Sequence, residues 1–171
     1  MKRSLPLLLV FVAARLACAQ MPVVAFDSAK VVGGTALPGS NLVVAATFKI
    51  QPGYYLHSNH PTMPKAVATE AQVSGNYAAQ VPPVGFGATV QKTIPGTPQP
   101  VPVYEGSLSI QVPVVIRPNA RFPLVLPGII GYAPVEAKTH TPGPIEKVRF
   151  EITVPMATNV PPTNVKGPGK K

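Results

Sequence analysis

The chain has 171 residues, with 15 Lys and Arg against 6 Asp and Glu, one cysteine, no tryptophan and 23 prolines. Proline at about 13%, against roughly 5% in ordinary proteins, excludes a mostly helical chain, because a proline inside a helix costs ~3 kcal/mol. A hydrophobic content of 46% excludes a disordered proline-rich tail, and the lone cysteine excludes an intramolecular disulfide framework. What remains is a compact all-β domain with one main core, its prolines at strand edges and in turns.

The N-terminus reads as an export signal. Lys2 and Arg3 precede the apolar run from Leu5 to Ala14, and Ala17-Cys18-Ala19 supplies the small residues of a cleavage site. That run is shorter than the ~20 residues needed to span a bilayer, so no transmembrane segment is expected in the mature chain. Acylation of Cys18 is the competing reading, but Arg15 stands where lipoprotein signals carry leucine, and cleavage after Ala19 is preferred. Loss of Lys2, Arg3 and Arg15 lowers the net charge from +9 to about +6. The remaining basic residues are scattered, without the Lys/Arg stripe and interleaved aromatics of a nucleic-acid binder. A basic soluble surface is expected, and nucleic acid is not an expected partner.

Seven strands are expected in chain order. The first covers Val23–Val32, and the turn cluster Leu37-Pro38-Gly39-Ser40-Asn41 leads into the second. There, Leu42, Val44, Ala46, Phe48 and Ile50 share one face, with Thr47 and Lys49 on the other. After Gln51-Pro52-Gly53 comes a polar segment read as a loop, Tyr54 to Met63, followed by strands at Ala66–Val73 and Val84–Lys92. A fifth strand alternates through Leu108, Ile110, Val112, Val114 and Ile116. The sixth is expected at Phe122–Ile130, and the seventh alternates through Val148, Phe150, Ile152 and Val154. Short one-sided strands in this number predict an immunoglobulin-like antiparallel two-sheet sandwich of about seven or more strands. The domain is expected to span residues 20–155. Residues 156–171, which include Pro161-Pro162 and end Gly-Pro-Gly-Lys-Lys, read as a flexible tail.

Chemistry-bearing motifs are few. Once the signal is removed no thiol remains to act as a nucleophile. The six acids form no close pair in a recognisable motif, and no nucleophile elbow, phosphate-cradling glycine loop or H-E-x-x-H occurs. The concentrated polar cluster is Tyr54-Tyr55-Leu56-His57-Ser58-Asn59-His60-Pro61-Thr62-Met63, in which His57, His60 and Met63 follow an H-x-x-H-x-x-M spacing. Imidazole and thioether are donors that suit copper. On a loop, however, this spacing fixes no shared face, so two solvated histidines on a surface loop are the plain alternative.

Three segments carry a resemblance. The stretch Phe48 to Pro61, a strand followed by Pro-Gly, aromatics and Ser58-Asn59-His60-Pro61, resembles a segment of the N-terminal domain of the bacterial thiol:disulfide interchange reductase DsbD. The stretch Val103-Tyr104-Glu105-Gly106 with the strand Leu108–Ile116 resembles that domain's aromatic-acid-glycine turn and following strand, a region that includes the loop capping the family's active site. The stretch Leu126 to Pro142 resembles its Tyr-Gln-Ala-Cys-x-x-x-x-Cys-x-x-Pro hairpin. The closing strand Val148–Val154 also matches, and the resemblance as a whole covers roughly Val23 to Pro155. The resemblance implies the immunoglobulin-like fold and a periplasmic or secreted location. In the family two thiols pass electrons to thioredoxin-like partners. With Tyr132 set on the family's tyrosine, Val135 and His140 occupy the two cysteine positions. Thiol exchange needs an attacking and a resolving thiol, and neither residue supplies one.

The resulting expectation is an exported, redox-inactive accessory module rather than an enzyme, with no catalytic residue and no cofactor. It would bind a thioredoxin-like or other envelope protein through the edge holding Tyr104, Glu105, Tyr132, Val135 and His140. Two alternatives stand beside it. One is a periplasmic copper-binding protein using His57, His60 and Met63, with His140 as a further candidate donor; the other is a structural spacer domain.

Overall fold

The computed structural model describes residues 22–157. The expected signal peptide, Cys18 and most of the expected tail lie outside the described residues. At the C-terminal boundary the Ala157 N–H donates to the Ala36 carbonyl at 3.0 Å, so the domain's backbone contacts run past Pro155.

The described chain is all-β and antiparallel, with twelve strands: β1 Val24–Gly34, β2 Asn41–Ile50, β3 Tyr54–His57, β4 Glu70–Val73, β5 Ala79–Gln80, β6 Gly85–Phe86, β7 Val90–Lys92, β8 Val101–Glu105, β9 Ser107–Ile116, β10 Leu124–Tyr132, β11 Pro134–Glu136 and β12 Glu146–Val154. One sheet has the order β1-β2-β9-β5, with β6 also on β9, and a second has the order β12-β10-β4. These two face each other as an immunoglobulin-like sandwich. A smaller sheet, β11-β3-β8-β7, closes one end.

Alternation accounts for the two main sheets. Successive strand side chains point to opposite faces, so Leu42, Val44, Ala46, Phe48 and Ile50 of β2 and Leu108, Ile110, Val112, Val114 and Ile116 of β9 all enter the main core. They meet Leu124, Leu126, Ile130 and Tyr132 of β10 and Phe150, Ile152 and Val154 of β12. Phe26, Phe48 and Phe150 form an aromatic cluster, with Phe48 and Phe150 edge to face at 4.9 Å between centroids and Phe26 stacked on Phe150 at 5.7 Å. Such pairs each add about 0.5–1.5 kcal/mol beyond the area they bury. Phe150 lies directly opposite Gly128 on β10, and its ring covers the space that a side chain at Gly128 would need.

The end sheet differs because both of its faces are covered. On β3, Leu56 points into the main core while Tyr55 joins a second cluster with Ile94, Val101, Val103 and Val135. On β8, Tyr104 takes the main core and Val101 and Val103 the second cluster. This corrects the expected loop at 54–57: it is a strand buried on both sides. A strand covered on both faces has no polar face to give it an alternating signature. The expected single strand at Val84–Lys92 is also divided, with β6 pairing β9 and β7 pairing β8. β5 and β11 have two and three residues, too short for a periodic pattern.

Candidate functional site

The end sheet and the loops around it hold most of the residues singled out in the sequence. Across the sheet, Val135 of β11 stands opposite Tyr55 of β3, and His57 of β3 stands opposite Val103 of β8. Tyr55 and His57 are two residues apart and therefore share a face; their rings pack edge to face at 5.8 Å. Beyond β11 the chain turns back, with the His140 N–H donating to the Glu136 carbonyl at 2.9 Å and an isolated bridge pairing Val135 with Pro142. This turn brings His140 to Tyr55: the Tyr55 hydroxyl and His140 Nδ1 are 3.3 Å apart.

A second loop completes the surroundings. Residues 58–69 leave β3 and are closed at the base by two contacts. The Thr69 hydroxyl donates to the His57 carbonyl at 2.6 Å, and the Thr69 N–H donates to the Ser58 carbonyl at 3.3 Å. The closure places Met63 and Lys65 over the face that carries Tyr55 and His57. Between this loop and the β11 turn lies a cavity of about 390 Å³, with Tyr55, His57, Met63, Val135 and His140 among its lining residues. The two residues at the resembled cysteine positions thus share one cavity.

The electrostatics follow from burial. His57 is 6% exposed, and its Nδ1 is buried without a hydrogen-bond partner. Burial holds its pKa below the ordinary imidazole value, favouring the neutral ring. The Tyr55 pKa is raised, first by burial and then by the charge of Glu105. The Lys92 ammonium sits 5.2 Å from the centroid of the Tyr55 ring and bonds both carboxylate oxygens of Glu105, at 2.9 and 3.0 Å.

Other expected residues are placed differently. Tyr132, expected at a partner-facing edge, is fully buried; its hydroxyl donates to Glu146 Oε2 at 2.6 Å and accepts from the Val24 N–H at 3.2 Å. Burial, reinforced by the Glu146 bond, raises its pKa far above the ordinary value. Tyr104 is buried as well, donating to Asn59 Oδ1 at 2.9 Å. Val135 is buried, while Glu105 is exposed and His140 half-exposed. The expected contact edge therefore reaches solvent only through Glu105 and His140. The cause is packing: the two tyrosines occupy inward positions of their strands, where their hydroxyls find partners.

The H-x-x-H-x-x-M spacing does not bring its three side chains together. His57 and Met63 line the cavity beside His140, whereas His60 is exposed and lines a separate hollow with Glu70, Phe86 and Lys147. No group of three or more His, Cys, Asp and Glu side chains among the described residues is placed to hold a metal ion. Tyr55 was not singled out by the sequence, although the Tyr55-x-His57 spacing is the strand signature that puts both rings on one face.

No protein-family model matches the chain, and no curated protein matches it. Solved structures similar to it include two N-terminal domains. One is the DsbD N-terminal domain of Neisseria meningitidis in the reduced form, at 14% identity and a TM-score of 0.42, covering 77% of this chain and 86% of that one. The other is the N-terminal periplasmic domain of ScsB from Proteus mirabilis, at 10% identity and a TM-score of 0.45. That likeness covers 76% of this chain and 47% of the ScsB chain, so this chain spans about half its length. The chain has a single cysteine, Cys18, and the described residues contain none. No helix among them is long and apolar enough to cross a membrane.

Proposed function

We propose that this chain is an exported binding module of the DsbD N-terminal type that has given up thiol chemistry and acts by contacting an envelope protein at the β11 end. One observation carries the reading. Val135 and His140, at the resembled cysteine positions, line the same cavity beside Tyr55. The two positions face one cavity, and neither residue carries sulfur. Exchange requires a thiolate to attack and a thiol to resolve the mixed disulfide, and here a buried isopropyl group and an imidazole stand in their places. The contact surface is then the exposed turn with Glu136, Lys138 and Thr139, flanked by His140 and Glu105. A thioredoxin-like domain is the partner that the sequence resemblance suggests.

The test mixes the exported protein with reduced and oxidised thioredoxin-like domains, following disulfide exchange and complex formation separately. No exchange is expected, together with a saturable complex that Lys138→Glu or His140→Ala weakens. Turnover of disulfide would overturn the redox-inactive reading. A complex indifferent to both substitutions, or no complex at all, would overturn the contact surface.

A further inference from the structure

The cavity at the end sheet has an unusual donor set. Two imidazoles, His57 and His140, and one thioether, Met63, line it beside the Tyr55 phenol, and no carboxylate does. Its single charged lining residue is a cation, Lys65. Hard divalent ions such as calcium, magnesium and manganese require oxygen donors, mostly anionic. Neutral nitrogen and sulfur donors without a carboxylate suit a soft ion of low charge, and among biological metals that is Cu(I).

Further observations point to a ligand. His57 Nδ1 is a buried polar atom without a partner, and such atoms in folded proteins call for a reason. His140 is oriented from the other side: its Nδ1 meets the Tyr55 hydroxyl at 3.3 Å, which leaves Nε2 uncommitted. Ligating imidazoles are held in this way, with the second nitrogen fixed by a neighbouring polar group. Finally, the two non-glycine residues with left-handed backbone among the described residues, Lys65 at φ 64° and His140 at φ 55°, both line this cavity. Such conformations cost energy and persist where the surroundings enforce them.

We propose that this cavity is a Cu(I) site whose ligands are His57, Met63 and His140. The set differs from the one suggested by sequence spacing, since His60 lies on another surface and has no part in it. Tyr55 acts as the positioning residue for His140, and the loop 58–69 delivers the thioether.

The experiment is an anaerobic titration of the protein, purified as the cell exports it, against Cu(I) held by the coloured chelator bicinchoninate. One Cu(I) per chain is expected to leave the chelator. Because His57 is buried and its removal endangers folding, the variants are Met63→Leu and His140→Ala, with His60→Ala as the control and circular dichroism as the check on folding. Each of the first two is expected to weaken Cu(I) binding by at least about tenfold, on the scale seen for loss of even a ligand-orienting residue. His60→Ala is expected to leave it unchanged. Absence of one-to-one binding, an unchanged affinity in Met63→Leu or His140→Ala, or a loss in His60→Ala would each overturn the site. Copper binding is read without any partner protein, so its outcome is independent of the proposed protein contact.

Discussion

Tyr132→Phe removes one hydroxyl and leaves the burial of the ring unchanged. Two hydrogen bonds are lost. The bond donated to Glu146 Oε2 at 2.6 Å is charge-assisted, in the class worth about 1.5–3 kcal/mol. The bond accepted from Val24 is longer, at 3.2 Å, but Val24 is fully buried and its N–H is left without a partner. That omission costs about 1–3 kcal/mol. Both bonds share one oxygen, and half-buried Glu146 recovers part of its loss from water, so the full sum is not reached. The expected destabilisation is about 2–4 kcal/mol, large against the roughly 5–15 kcal/mol that holds a domain folded. Urea unfolding at pH 7 measures it, with an unchanged slope because the buried area is the same. The same pair of proteins carries a pH signature. The folded-state pKa of Tyr132 is raised above its ordinary 10.0, so above that pH the unfolded chain ionises first. Stability is then lost as pH rises from about 10 toward the folded-state pKa. Wild type should fall more steeply there than Tyr132→Phe, which keeps a smaller slope from Tyr55 and Tyr104. A loss below about 0.5 kcal/mol at pH 7, or identical alkaline slopes, would refute the idea that this hydroxyl ties β1 and β12 to β10.

Further outcomes follow from other residues. The pKa of His57 is lowered by burial from its ordinary 6.5, so the unfolded chain takes up a proton before the folded one does. Stability should therefore decline as pH falls below about 6.5, and urea midpoints at pH 7.5 and 5 should show a smaller decline in His57→Phe than in wild type. Gly128→Ala places a methyl group where the Phe150 ring lies; thermal unfolding should report a loss of about 1–3 kcal/mol, as in other overpacked cores. Glu105→Gln breaks an ion pair whose side chains are 22% and 44% exposed. It should change unfolding free energy by less than about 1 kcal/mol, and a larger change would mean that Lys92 depends on this pair to cover Tyr55.

The main sandwich was legible because its strands have one wet face and one dry face. Leu42 to Ile50, Leu108 to Ile116 and Val148 to Val154 write that difference as strict alternation, and all three are strands in the folded protein. The end sheet left no such record. Tyr54–His57 has a core on each side, so its residues are aromatic, aliphatic and imidazole with no polar counterpart, and it reads as a polar loop. β8 likewise lacks a polar face, its Val103 and Tyr104 facing opposite cores, and the sequence marks its end only through the resemblance to an aromatic-acid-glycine turn. The candidate site lies on that sheet, and the histidines illustrate the difficulty. Spacing alone grouped His57 with His60, three residues away, whereas the fold groups it with His140, more than eighty residues away in sequence. Tyr104 and Tyr132 could be picked out by position, but their burial depended on which face of each strand met the core.

By itself the sequence determined an all-β sandwich, while the export signal and the assignment of Val135 and His140 to the resembled family's thiol positions are expectations drawn from local pattern and resemblance. These properties are written in composition, local alternation and residue identity. Only the tertiary structure decided that Val135, His140, His57 and Met63 share one cavity while His60 does not, and that the tyrosines face inward. Those facts depend on strand register and on the closure of two loops, which arise from contacts between residues far apart in the chain and leave no local periodicity to read.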